Sequence, residues 1–192
     1  MKQHISLIFT LALLMAVSFG CKVGDEDPVS LASRDGRLAA TWNLTAAEVS
    51  DVLTYDRGTE ITSESYDGTT WTKTKMGPDT TTDSYSYEAR LVLEKGGAAT
   101  VTVTSNESKQ TIINTDSTRW SWVDTDKKKS MLMIYSDRFE GPNGVPDVWE
   151  VLRLSKKELI LYQYIKLTVE VPSVSSTAAS LEYTRKFTFE AE

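Results

Sequence analysis

The chain of 192 residues predicts an all-β protein: an antiparallel up-and-down meander of roughly eight to ten strands that closes into a barrel. Three observations predict it. From Leu38 onward, apolar residues recur at alternate positions, the period that sends successive side chains to opposite faces of a strand. The alternating segments are joined mostly by short turns rich in Gly, Ser, Lys and Asp. No segment carries a convincing helical period. A meander this long must curl, because an open sheet leaves unpaired edges, and closure brings the first strand beside the last.

The amino-terminal stretch stands apart from that fold. Lys2 and His4 precede an apolar run from Ile5 to Phe19, and the small residues Ser18 and Gly20 lead into Cys21, the only cysteine. About fifteen apolar residues followed by an acidic segment fall short of the about twenty that a membrane span needs. They suit an export signal over residues 1–20, cut after Gly20. Residues 21–36 are polar and contain Gly24, Pro28 and Gly36, so they read as a flexible tether, with the domain expected over 37–192.

Within the domain, Leu38, Ala40, Trp42 and Leu44 share one face of a first strand. Ala46 to Tyr55 reads as a second, with Val49, Leu53 and Tyr55 together and Asp51 interrupting them. Residues 57–83 are polar and rich in Thr and Ser, which predicts one or two solvent-exposed strands carrying isolated Tyr66 and Trp71. Next, Tyr85, Tyr87, Ala89, Leu91 and Leu93 line up, Lys95-Gly96-Gly97 turns the chain, and Ala99, Val101 and Val103 return in a hairpin. Ser117 to Tyr135 is another hairpin. Trp120 and Trp122 share a face, Asp124 to Lys129 turns, and Met131, Met133 and Tyr135 stand opposite Leu132 and Ile134. A third hairpin runs from Val148 to Leu154, turns at Ser155-Lys156-Lys157 and returns to Val171. On its second strand Leu159, Leu161, Ile165, Leu167 and Val169 form a face broken only by Gln163. The last strand aligns Leu181, Tyr183, Arg185, Phe187 and Phe189, with Arg185 its single charge.

Composition narrows function. The chain has 21 Lys and Arg against 27 Asp and Glu, and loss of a leader carrying Lys2 and His4 leaves 20 basic residues against the same 27, an excess of seven negative charges. Nucleic acid is not an expected partner, since its binding rests on basic side chains that neutralise phosphate. Without His4 the mature chain has no histidine, so neither a Ser-His-Asp nor a Cys-His site is available, and the usual nitrogen ligand of zinc is missing.

A leader that ends immediately before a cysteine resembles those of bacterial lipoprotein precursors. That resemblance implies acylation of Cys21 on its sulfur and its freed amine, and attachment to a membrane through the lipid. The pattern usually has Leu three positions before the cysteine, where this chain has Ser18, and a secreted protein with a free amino-terminal thiol is the alternative. Lys22 followed by Asp25, Glu26 and Asp27 is similar to the surface-export signal of Bacteroidota lipoproteins, and equally to an ordinary solvated tether. Leu38-Ala39-Ala40-Thr41-Trp42-Asn43-Leu44-Thr45 resembles the opening strand of the lipocalin-like lipoproteins of that phylum, with Ala40 where the family usually has Gly. Trp149 to Leu161 resembles their penultimate hairpin. The family implies a lipocalin-like barrel, a place on the outer membrane facing the periplasm or the cell surface, and an arginine, here Arg185, packed over the motif tryptophan, Trp42, to close one mouth. A desolvated contact of that kind is worth about 1–2 kcal/mol.

With one mouth closed, a small apolar ligand would enter at the other and meet inward aromatics and methionines: Tyr85, Tyr87, Trp120, Trp122, Met131 and Met133. The same residues could instead fill the interior. A filled barrel would act as an accessory subunit of an envelope complex, or contact glycans, through exposed aromatics such as Tyr66 and Trp71. The loop from Asp137 to Asp147 carries oxygen ligands at a spacing that matches no EF-hand, so no metal or other cofactor is expected. Nothing in the spacing of the carboxylates selects a catalytic pair, so no catalysis is expected. Buried carboxylates with raised pKa facing one cleft would reverse that reading.

Overall fold

The computed structural model describes residues 33–55, 58–77, 79–106, 109–123, 130–136, 147–170 and 178–192. The expected leader, Cys21, most of the tether, the Asp124–Lys129 turn and nearly all of the Asp137–Asp147 loop lie outside the described residues.

The architecture is the predicted antiparallel meander, closed into a barrel. A one-turn helix, α1 (Arg34–Leu38), precedes ten strands: β1 (Thr41–Tyr55), β2 (Gly58–Tyr66), β3 (Thr70–Met76), β4 (Thr81–Leu93), β5 (Ala98–Ser105), β6 (Ile112–Trp122), β7 (Met131–Ile134), β8 (Asp147–Leu154), β9 (Glu158–Glu170) and β10 (Ala178–Ala191). Each pairs with the next, and β1 closes the ring against β10, from Trp42 opposite Ala191 to Thr54 opposite Ser180.

The ring is not the same all the way up. At the start of β1, Thr41, Trp42 and Asn43 pair directly with Val92, Leu91 and Arg90 of β4, which bypasses β2 and β3 and leaves eight strands around that end. From Ala47 upward β1 pairs with β2 instead, so the β2–β3 hairpin is wedged in and the ring as a whole counts ten strands among the described residues. Tyr66, at the foot of the wedge, donates its hydroxyl proton to the Tyr87 carbonyl at 2.8 Å and laces the fork shut.

A register shift between Leu44 and Ala46 marks a bulge in β1. The extra residue moves the inward set from Trp42 and Leu44 to Ala47, Val49 and Asp51. The two strands expected on either side of residue 45 are therefore one strand of 15 residues.

The narrow end is packed solid. Leu38, Trp42, Leu91, Leu93, Leu132, Ile134, Trp149, Leu154, Leu159, Leu161 and Phe189 are all buried to 2% exposure or less. Each fully buried Leu or Phe contributes about 1.5–3 kcal/mol relative to exposure. Helix α1 forms the plug. Ser33 caps it by accepting the Gly36 amide at 3.1 Å, Leu38 is buried, and the Trp42 indole donates to the Leu38 carbonyl at 2.9 Å. The Trp122 indole donates to Asp35 at 2.6 Å, and Arg34 lies over the Trp122 ring at 5.4 Å. Ser33 to Gly36 thus belong to the folded domain rather than to the expected tether. A single turn is too short to display a 3.6-residue period, which is why no helix is legible there.

Candidate functional site

Above the packed end the interior opens into a cavity of about 280 Å³ lined by β1 to β5 and β10. Its floor is apolar: Leu44, Val49, Ala89, Val101, Phe187 and Phe189. Aromatic rings form one wall. The Trp71 and Tyr87 centroids lie 4.8 Å apart, Tyr66 stacks on Trp71 at 5.9 Å, and Tyr85 meets Tyr87 edge-on at 6.4 Å. The wedge hairpin builds this wall by bringing Trp71 of β3 opposite both Tyr66 of β2 and Tyr85 of β4.

Three charged residues also line the cavity: Asp51, Glu64 and Arg185. Pairing explains their juxtaposition. Val49 of β1 lies opposite Glu64 on one side and Arg185 on the other, and Asp51 is the next inward residue of the same strand. Asp51 is therefore diagonal to both, the neighbour relation that puts side chains on one face within reach of each other.

Glu64 and Arg185 each have committed partners. One Glu64 oxygen is paired with Lys73 at 3.0 Å and the other accepts the Trp71 indole proton at 2.8 Å. Arg185 is buried at 4% exposure, donates from Nε and Nη2 to the Gln163 oxygen at 3.1 and 2.5 Å, and lies over the Trp149 and Tyr183 rings at 4.7 and 4.6 Å. Gln163, directly opposite Arg185 in the β9–β10 register, is buried and also donates to the Val148 carbonyl at 3.2 Å.

Asp51 differs. Its Oδ1 is sealed from solvent and accepts no hydrogen bond among the described residues. Burial, with the nearby Glu64 carboxylate in support, pushes its pKa up to about 6, although Lys73 and Arg185 pull the other way. A half-buried carboxylate with a raised pKa beside a second carboxylate meets part of the condition named above for catalysis, which asked for a buried pair. No cluster of three metal-ligating acids or sulfur groups occurs among the described residues.

Of the six residues expected to contact a ligand, only Tyr85 and Tyr87 line the cavity. Trp120 and Trp122 face inward at the plugged end, where the Trp120 indole donates to the Glu94 carbonyl at 3.0 Å and Trp122 is held by α1. Met131 and Met133 face outward. Both faces of Met131-Leu132-Met133-Ile134 are apolar, so alternation could not choose between them; the structure buries Leu132 and Ile134 completely. Tyr66 and Trp71, expected to be exposed, are buried at 4% and 7%. The expected contact between Arg185 and Trp42 is not made. Trp42 pairs with Ala191 and Arg185 with Val49, which separates them by six residues of β10, roughly 20 Å. The ring under Arg185 is Trp149 instead.

Two of the charged lining residues, Asp51 and Arg185, and Gln163, which receives Arg185, are marked in the sequence. Asp51, Gln163 and Arg185 are the positions where an otherwise apolar inward face is broken. Glu64 had no such signal, because β2 is polar on both faces. Comparison of this chain with protein-family models, with curated proteins and with solved structures returned no match.

Proposed function

We propose that this protein is a lipid-anchored lipoprotein of the cell envelope, held at the outer membrane through Cys21, whose lipocalin-like barrel binds a small, largely apolar molecule without catalysis. The supporting observation is the cavity itself. A plugged end, an apolar floor and a few convergent polar groups are the usual make-up of a small-molecule site, and about 280 Å³ lies near the lower edge of the about 300–1,000 Å³ such sites span. The burial of Tyr66 and Trp71 removes the aromatic surface that the accessory-subunit reading relied on.

Native mass spectrometry of residues 22–192 purified from an envelope extract, before and after gentle solvent extraction, tests the binding. A discrete extra mass that leaves on extraction is expected. A bare mass in both runs, with no uptake of small apolar probes, would sink the carrier reading. The anchor is tested separately by metabolic labelling with a tagged fatty acid: label in the wild type, absent from Cys21→Ser, is expected, and no label in either leaves a secreted protein.

The raised pKa of Asp51 beside Glu64 favours a second reading, acid catalysis on a small substrate. Turnover of a chromogenic glycoside or ester panel between about pH 5 and 7, lost in Asp51→Asn, would replace the carrier reading.

A further inference from the structure

The donors and acceptors around the cavity are unevenly matched. The guanidinium of Arg185 already has the Gln163 oxygen and two aromatic faces, and Lys73 already has Glu64. The atom left without a counterpart is an acceptor, Oδ1 of Asp51. Buried polar groups are almost always hydrogen-bonded, so an unpaired oxygen on a residue that lines a cavity calls for an explanation. The lining itself carries two carboxylates, Asp51 and Glu64, against one guanidinium. The faces of Trp71, Tyr85 and Tyr87 are attractive to a cation.

We infer that the ligand is a small primary amine, whose ammonium group donates to Asp51 while its hydrocarbon body lies on Leu44, Val49, Ala89, Val101, Phe187 and Phe189. This deepens the carrier reading and rests on it. A carboxylic acid would place a third carboxylate beside Asp51 and Glu64 and leave Asp51 without a donor. An alcohol would supply the donor but not the charge.

Isothermal titration of the barrel with hexylamine, 1-hexanol and hexanoate, probes of equal chain length, separates these possibilities. At about pH 7.5 the amine is expected to bind at least about tenfold more tightly than either other probe, the difference a charge-assisted hydrogen bond supplies. In Asp51→Asn, checked for its fold by circular dichroism, that preference should collapse to within about threefold. In the wild type, amine affinity should fall as pH drops through about 6, where Asp51 takes up a proton. Glu64 of β2 and Arg185 and Tyr183 of β10 face Asp51 from the adjoining strands, and Lys73 of β3 is paired with Glu64. Hexylamine affinity that stays constant from about pH 7.5 to 5 would count against Asp51 as the receiving group even if the Asn variant failed to fold. Equal or tighter binding of hexanol or hexanoate would overturn the amine and leave the carrier reading standing. Binding of none of the three would overturn both.

Discussion

Replacing Asp51 by Asn should stabilise the ligand-free protein, an outcome opposite to that of most substitutions at a cavity wall. The unfolded chain ionises this carboxyl near 3.8, and the folded protein only near 6. Below about 3.8 both states hold the proton and the side chain imposes no penalty. As pH rises through about 6 the folded protein must carry a desolvated carboxylate that the unfolded chain solvates freely, so stability is lost on the alkaline side. A shift of about two pKa units corresponds to about 3 kcal/mol if fully counted. The carboxyl is only about half-buried, and water screens what remains exposed, so about 1–2 kcal/mol is the expected gain. Urea unfolding followed by tryptophan fluorescence at about pH 7.5 and again at about pH 3.5 measures it, because every other carboxylate is common to both proteins. The variant should have the higher midpoint at the first pH and the same midpoint at the second. Equal midpoints at about pH 7.5, or a gap that persists unchanged at about pH 3.5, would refute the reasoning. A residue that destabilises the empty barrel is easier to understand if it is kept for what it binds.

Three further outcomes test the frame around the cavity. Gln163→Leu removes the oxygen that receives both Nε and Nη2 of buried Arg185, and should cost about 2–3 kcal/mol in urea unfolding; a neutral result would mean that the aromatic faces and other contacts alone hold the guanidinium. Gly97→Ala should destabilise by about 1–3 kcal/mol, since Gly97 has φ +95° and a Cβ there would sit 2.9 Å from the Trp120 carbonyl oxygen; an unchanged midpoint would show that the turn relaxes freely. Trp42→Phe loses the bond to the Leu38 carbonyl and leaves unfilled space at the plug, for about 2 kcal/mol. In that variant hydrogen exchange should quicken at the amides of residues 36–39, and unchanged exchange would detach α1 from the closure.

The legible parts of this protein are those whose physics is local. The inward faces of β4, β5, β9 and β10 could be read from alternation because each has one apolar face and one polar face. Where that contrast fails, the reading fails with it. In β7 both faces are apolar, so alternation does not choose between them, and Met131 and Met133 face outward where the sequence predicts inward. In β2 and β3 both faces are polar, so the pattern predicts exposed Tyr66 and Trp71, which the wedge buries. The bulge near residue 45 inverts the alternation within a single strand, so one strand resembled two.

The sequence by itself determined the strand class, the meander and the apolar inward faces of β4, β5, β9 and β10, because a two-residue period is a property of neighbouring positions. It also marked Asp51, Gln163 and Arg185, each as an isolated break in an apolar face. Tertiary structure alone decided that these breaks form one place. Closure of β1 against β10 sets Asp51 diagonal to Arg185, and the β9–β10 register sets Gln163 opposite Arg185. Insertion of β2 beside β1 brings in Glu64 from a strand with no apolar face to break. The β1–β10 pairing joins residues more than a hundred positions apart, and only the closed ring, with the β2–β3 hairpin wedged into it, brings the three strands' residues to a single cavity.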